Sequence, residues 1–435
     1  MKPKSAPSAR DLLAELETSG IRLGLDAMRG VLAGLGDPHL RLPHVLVAGT
    51  NGKGSTAALV ASMLGAAGHR TGLYTSPHLE DVRERLRLDG RAIGRAELAA
   101  RLGRVVAAAR RRLGSLPTYF EALTAAAFSW LADEAAIAVM EVGLGGRLDA
   151  TNVGQPLAAL VTEIGIDHAE ILGGSEREIA LEKAGVMRPG RPALAFVSSA
   201  AAREVLAGRA RELGAQWHDV TAEVEWRLGG AGRVELATPE RVYRLEPPLA
   251  GAHQLGNLAL AVRAVEVLAA AGGPPTTRAA IEAGVARCRW PGRLERIDLA
   301  SGHQVLLDAA HNPQGAAALK AYLDGEARPY RLLFGALGDK DVAGALLPLA
   351  AGATAVILTT PRSPRAVAPA RLAELLPEGP VRVEEDAAAA LTAALDPPAA
   401  TVVVCGSIYL VGEVRRLLRA RHGRPAAAVD VDLAG

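Results

Sequence analysis

The stretch His44-Val-Leu-Val-Ala-Gly-Thr-Asn-Gly-Lys-Gly-Ser-Thr56 constrains the fold more than any other: an apolar strand runs into a glycine-rich turn, and the turn opens an alanine-rich helix. Gly49, Gly52 and Gly54 let the backbone turn sharply and bring amide N–H groups up to an anion. Lys53 adds a point charge and the helix start adds its dipole. With Thr50, Asn51, Ser55 and Thr56 this makes a cradle suited to the phosphates of a nucleoside triphosphate. An ordinary glycine-rich strand-to-helix turn is the plainer alternative.

The general phosphate-loop pattern is not matched in full. Val47 stands where that pattern has its first glycine, and Gly54 stands where it has a Mg²⁺-binding hydroxyl. That ligand must then come from Ser55 or from elsewhere in the chain.

Helical periodicity continues over 55–67, Gly68 ends it, and Thr71-Gly-Leu-Tyr74 is a second short strand, so the unit is βαβ. Two short helices before it, at 11–16 and leading in from Gly20 to Gly30, are expected to cap this domain. In βαβ units ligands gather at the carboxyl ends of the strands. Ser76, directly after the second strand, is a candidate for the displaced hydroxyl, against a turn-forming Ser-Pro. A helix over 120–132 leads to a strand over 136–142, whose terminal acid Glu141 is costly to bury without a cation beside it. Gly143-Leu-Gly-Gly-Arg-Leu-Asp-Ala-Thr-Asn152 follows, with Leu148 where a dinucleotide fingerprint needs glycine, which argues against hydride transfer. The strand over 157–162 ends at Asp167 and His168, a potential ligand pair, although a lone histidine is as readily an ordinary one. Lys183 closes a capped helix and reads simply as a cation on its C-terminal dipole.

Further strands at 193–197, 223–228, 233–236 and 241–245 are expected to add to the first domain. A long helix over 258–270 has Asn257 at its start, an N-cap by position. The composition breaks at Arg289-Trp-Pro-Gly-Arg293, which places the domain boundary at 290/291. Beyond it, strands near 305–308, 331–334, 355–360 and 401–404 alternate with helices, giving a second, smaller α/β domain. Asp308-Ala-Ala-His-Asn-Pro313 and Gly335-Ala-Leu-Gly-Asp-Lys-Asp341 follow its first two strands and could face the first site across a cleft.

A chain of 435 residues with net charge +2 has material for two or three cores and no bulk charge suited to nucleic acid. Arg110-Arg-Arg112 is expected to be a solvated helix face. Cys288 and Cys405 lack metal-ligand spacing and imply a reducing compartment. With no apolar leader and no run of 18 or more apolar residues, the chain is expected to be cytoplasmic, with no membrane partner.

The residues resemble the folylpolyglutamate synthase and dihydrofolate synthase family of the Mur ligase superfamily over nearly the whole chain. The resemblance rests on Gly49-Thr-Asn-Gly-Lys-Gly-Ser55, Ser76-Pro-His-Leu79, Thr118-Tyr-Phe-Glu121, Glu141-Val-Gly-Leu-Gly-Gly-Arg-Leu-Asp-Ala-Thr-Asn152, Asp167-His168, Glu182-Lys-Ala-Gly185, Pro291-Gly-Arg293, Asp308-Ala-Ala-His-Asn-Pro313 and Gly406-Ser-Ile-Tyr409. It departs only slightly, at Glu163-Ile-Gly-Ile before Asp167. It implies an α/β fold: an ATP-binding phosphate-loop domain, 1–290, like the Mur central domain, with a helical cap and added strands, then a Rossmann-like ligase domain, 291–435.

The roles implied are specific. Lys53 and the loop from Gly49 to Thr56 would hold ATP phosphates. Ser76, Glu141 and His168 would bind magnesium, and Lys183, carbamylated, would ligate a second ion. Asn257, Arg293, Asp308 and His311 would contact ATP across the cleft, with Lys53, Lys183, His168, Asp308 and His311 as the catalytic set. Phe120, with Ser76, Pro77 and His78, would line the acceptor pocket. The implied reaction adds L-glutamate to dihydropteroate or to the γ-carboxylate of folyl-glutamates through an acyl phosphate, in a monomer. A cell-wall amino-acid ligase of the Mur type, a phosphate-loop kinase and an inactive nucleotide-binding regulator are the rivals. The Glu141–Asn152 motif opposes the first rival, and the joint presence of Lys53, Glu141, His168, Lys183 and His311 opposes the last.

Overall fold

The strand His44–Ala48 lies inside an eight-stranded sheet, between Ile137–Glu141 and Ala158–Val161, paired parallel to both. Alternation sends Leu46 and Ala48 to one face and Val45 and Val47 to the other, and all are buried. A strand buried on both faces is what a parallel sheet covered by helices on each side requires. The computed structural model describes residues 8–16, 24–377 and 379–422. The amino-terminal Met1 to Pro7 and the lead-in of the second expected helix before Gly24 lie outside the described residues.

The sheet runs Arg91–Ala92, Leu86–Leu88, Thr71–Tyr74, Ile137–Glu141, His44–Ala48, Ala158–Val161, Pro192–Ala195 and Gln216–Asp219. Its first three strands pair antiparallel and the others parallel. The βαβ unit is therefore open: Ile137–Glu141 sits between the loop strand and Thr71–Tyr74. The strands expected over 223–245 do not extend this sheet. Glu225–Leu228, Val234–Ala237 and Val242–Leu245 form their own antiparallel sheet. Val234, Leu236, Tyr243 and Leu245 bury into the core that also holds Val45, Val47 and the helix His253–Ala270. The reason is the pattern of these strands: their outer residues are charged, as at Glu235 and Arg244, so they have one apolar face to cover and not two. The short Gln216–Asp219 edge strand was not expected.

A six-stranded sheet follows: Glu295–Asp298, Gln304–Leu307, Thr401–Cys405, Tyr330–Phe334, Ala353–Leu358 and Val381–Val383, parallel except for its first pair. The late strand Thr401–Cys405 inserts at the centre, where its Val402 to Val404 run is fully buried. Cys288 and Cys405 are buried free thiols. Arg110 reaches Glu15 at the exposed surface, as a solvated face would. Among the described residues no helix is long and apolar enough to cross a membrane.

The two sheet bodies meet through polar and close backbone contacts. Arg415, only 7% exposed at its side chain, pairs with Glu80 and, at 2.9 Å, with Glu295. A Cβ at Gly412 would lie 1.8 Å from the Leu79 carbonyl oxygen, so the helix Ile408–His422 docks directly on the segment after Ser76.

The helices Arg278–Arg287 and Lys53–Ala66 are just as closely packed, since a Cβ at Gly284 would sit 2.4 Å from the Met63 Cα. Backbone cannot yield as a side-chain tip can. Gly284→Ala is therefore expected to force these helices apart and cost about 1–3 kcal/mol, read as a lowered denaturant midpoint in equilibrium unfolding; an unchanged midpoint would show that the contact is slack.

Candidate functional site

The parallel pairing of Val47 with Glu141 and of Ala48 with Val161 ends these strands at one level. Their carboxyl ends, with those of the second sheet, enclose a cavity of ≈ 790 Å³. It holds the loop from Gly49 to Ser55, Ser76, Pro77, Phe120, Glu141, His168, Lys183, Asn257, Arg293, Asp308 and His311. Of the expected site residues, Thr56 and His78 stand just behind this lining: Thr56 Oγ1 lies 3.5 Å from Asn257 Oδ1, and His78 accepts from Arg85 Nε at 3.1 Å.

The glycines are needed where the loop turns. Gly49 has φ +147° and its Cβ would fall 1.8 Å from Thr162 Oγ1; Gly52 has φ +89° and its Cβ would fall 2.1 Å from Asn257 Oδ1. The departure at Gly54 has a steric cause as well. The indole of Trp290 lies over it, 3.1 Å from where a Cβ would stand. Ser55 comes next, and its buried hydroxyl has no hydrogen-bond partner among the described residues.

Lys53, the first residue of its helix, donates to the carbonyls of Gly49 at 3.1 Å and Thr50 at 3.0 Å. Burial in the cavity wall lowers its pKa, and Glu141 and Asp167 oppose that shift. Glu141 is shifted upward by burial, against Lys53, the Ser76 N–H, which donates at 3.0 Å, Arg293 and Arg85. Burial and the neighbouring Lys53 push Lys183 down to about 7. Its Nζ donates to the Gly49 carbonyl at 2.8 Å. Lys183 is thus no solvated helix-end cation: it is 3% exposed and reaches under the loop.

Asn257 is not an N-cap. Its helix starts four residues earlier, at His253, and Asn257 lies within it, donating to Gln254 Oε1 at 2.9 Å while its Oδ1 faces Gly52. The helix is longer because Gly251 and Ala252, not a side-chain cap, turn the chain into it. Asp308 accepts from Ala310 N in its own turn and from Leu294 N, beside Arg293, at 2.9 Å each. Phe120 lies across Gly143, where a Cβ would meet its ring at 2.4 Å.

Lys340 was not singled out from the sequence, although its motif was. From the loop after Tyr330–Phe334 it crosses the cleft, 2.8 Å from both Asp167 Oδ1 and His168 Nε2. Burial would raise the pKa of Asp167, but His311, at 3.7 Å, and the closer Lys340 hold it well below the usual carboxylate range. Burial and Lys340 lower the pKa of His168. Asn51 adds a second bridge, donating to Gln314 Oε1 at 2.6 Å. The signal for Lys340 was its place at a strand's carboxyl end, flanked by Asp339 and Asp341.

For magnesium, hard oxygen donors are the fitting set. Glu141, Ser76 and the unpartnered Ser55 hydroxyl supply them beside Lys53. His168 and Lys183 line the same cavity but His168 Nε2 is engaged by Lys340, and among the described residues no three His, Cys, Asp or Glu side chains close on one point.

A Mur ligase middle domain model matches residues 47–265, and a Mur ligase, glutamate ligase domain model matches residues 292–408. The folylpolyglutamate synthase of Lacticaseibacillus casei is 35% identical, over 89% of this chain and 92% of its own. A probable bifunctional folylpolyglutamate synthase/dihydropteroate synthase of Haloferax volcanii is 36% identical over 94% of this chain, and the chain spans only 50% of that relative's length. The structure of E. coli FolC in complex with DHPP and ADP superposes with a TM-score of 0.86 at 32% identity, covering 97% of this chain and 100% of that one. The chain belongs to the folylpolyglutamate synthase and dihydrofolate synthase family of Mur ligases.

Proposed function

We propose that this chain is an ATP-dependent amide ligase that adds L-glutamate to dihydropteroate, to the γ-carboxylate of folyl-glutamates, or to both. The observation that carries this is the single cavity joining the glycine loop, the buried Glu141 and Lys183, and an end walled by Phe120. A phosphate cradle alone would serve a kinase or a regulator. A cradle continuous with a pocket for an aromatic acid, and closed by the second sheet body, suits activation of a carboxylate away from water.

A carboxylate does not acylate an amine until it is activated. The acceptor carboxylate oxygen attacks the γ-phosphorus of ATP, the bond to the β–γ bridging oxygen breaks, and ADP leaves. Glutamate's amine then attacks the acyl carbon, gives up a proton, and phosphate departs with the C–O bond. Lys53 and the loop N–H groups offset charge on the transferring phosphoryl group, which is positional and electrostatic catalysis. Asn257, Arg293, Asp308 and His311 hold the nucleotide from both sides of the cleft. Glu141, Ser76 and Ser55 would hold a magnesium ion, and His168 with a modified Lys183 a second; bound there, such ions supply Lewis-acid charge neutralisation. Phe120, Pro77 and His78 line the acceptor side. In this reading the domains divide at 290/291 and the working unit is a monomer.

Phosphate release that needs ATP, glutamate and either dihydropteroate or tetrahydrofolate, with product masses raised by glutamyl units, tests the assignment. Glutamate-independent phosphorylation of an acceptor would replace it with a kinase. Lys53→Ala is expected to lower turnover by on the order of 10²-fold or more while the melting temperature holds; near-normal turnover removes Lys53 from the mechanism.

A carbamate on Lys183 forms when the neutral amine attacks CO₂, the N–C bond forms and a proton is lost. With the pKa of Lys183 near 7, the neutral amine is the minor form below that pH and the major form above it. The expected outcome is a carbamate resonance with ¹³C-bicarbonate at pH 8 that fades on acidification to pH 6 and is absent in Lys183→Ala. A spectrum without any Lys183-dependent signal at pH 8 would refute the modification.

A further inference from the structure

Arg85 is a buried cation that the mechanism above does not use. It is 6% exposed and lines the cavity on the side of Tyr119 and Phe120. Its backbone carbonyl accepts from Thr75 N at 3.0 Å, which fixes it beside the turn at Ser76. Its Nε donates to His78 Nδ1 at 3.1 Å, and its guanidinium carbon lies 5.4 Å from the Tyr119 ring centroid.

Among the described residues none of its nitrogens lies within 4.0 Å of a carboxylate oxygen; Glu141, the acid whose charge it feels, is also faced by Lys53 and accepts from the Ser76 N–H. Of its neighbours, Arg83 pairs with Asp81 at 3.1 Å and Arg415 pairs with Glu80 and Glu295, while the buried Arg87 lies over the Trp290 ring and donates to the Glu84 carbonyl. Burying a charge without a counter-ion is costly. His78 offers a lone pair and no negative charge, since burial and Arg85 hold its pKa at about 4. With Nε occupied and one face on Tyr119, the plane of the guanidinium is set. Its two terminal nitrogens are left for an anion, and a carboxylate is the planar partner that a guanidinium binds through two parallel hydrogen bonds.

The reacting carboxylate belongs beside Lys53, where the cradle is. Arg85 stands on the acceptor side instead, and a guanidinium clamped on the reacting group would blunt it as a nucleophile. Dihydropteroate carries one carboxylate, the reacting one. A folyl-glutamate carries an α-carboxylate as well, two methylenes from the reacting γ-carboxylate. We propose that Arg85 is a specificity-determining residue that receives the non-reacting α-carboxylate of folyl-glutamate acceptors, with His78 and Tyr119 as its positioning partners. The assignment rests on the ligase reading given above.

The test is steady-state kinetics of the full chain and its Arg85→Gln and Arg85→Lys variants, with tetrahydrofolate carrying one glutamate and dihydropteroate offered in parallel. In Arg85→Gln the KM for tetrahydrofolate is expected to rise about tenfold or more, the loss of a charge-assisted pair, with kcat and both constants for dihydropteroate within about twofold. Arg85→Lys should fall between, because it keeps the charge and loses the fork. Equal loss on both acceptors, or loss on neither, overturns the proposal, as does a wild-type chain active with dihydropteroate alone. A wild-type chain inactive with both acceptors overturns the ligase reading itself, and this assignment with it. If Arg85→Gln melts at a markedly lower temperature than the wild type, the Arg85→Lys ratio of the two KM changes decides: a ratio of one overturns the proposal.

Discussion

The geometry of the site depends on backbone packed against backbone at the carboxyl ends of the parallel strands. Gly49 lies on Thr162 and Gly52 on Asn257, so that the loop is pinned from two sides. The segment after Glu141 is seated in the same way. A Cβ at Gly146 would meet the Glu182 carbonyl oxygen at 2.8 Å and the Lys183 Cα at 3.0 Å, and one at Gly185 would meet the Arg147 Cα at 2.5 Å. This mutual seating of two glycine-bearing segments brings the helix Glu176–Ala184 close enough for Lys183 to reach the loop. A side chain at any of these positions would widen the gap and withdraw a charge from the cavity.

With the backbone so placed, charge becomes the second constraint. Lys53, Lys183 and Lys340 crowd into a space that they share with the acids Glu141, Asp149, Asp167 and Asp339. Burial and the neighbouring Lys53 bring Lys183 down to about 7, while His311 and Lys340 hold Asp167 well below the usual carboxylate range.

The second sheet body contributes by reaching across. Lys340 and Gln314 grip the first body near the loop, at Asp167 and Asn51, while Arg415 grips it behind Ser76, at Glu80. Both sets of contacts are polar, and close packing is added where Leu79 meets Gly412 and Gly292. Polar contacts of this kind can part and re-form with less loss than an apolar core, which is compatible with a cleft that must admit several substrates.

Much of this was legible in the sequence because the signals were local. Strand, glycine turn and helix follow from periodicity and from the residues that tolerate φ > 0, and the acids Glu141 and Asp167 announce themselves by ending apolar strands. His311 came with the polar run that ends a strand of the second sheet, whereas the pocket role of Phe120 entered only through motif resemblance. What remained hidden depends on contacts distant along the chain. Lys183 has the local pattern of a helix-end cation, and only its burial under the loop changes its chemistry. Asn257 has the local pattern of a cap, and only the earlier turn at Gly251 puts it inside a helix, against Gly52. The strands at 225–245 alternate in the way edge strands do, and whether they lengthen a sheet or form another is decided by which apolar face is left uncovered. The missing hydroxyl at Gly54 is visible in the sequence, but its cause, Trp290, lies more than two hundred residues away. The sequence by itself determined which elements form and which ends carry polar groups, because propensity and periodicity act over a few residues. Tertiary structure decided which of those groups meet, and with what charge, because burial and electrostatic coupling act through space.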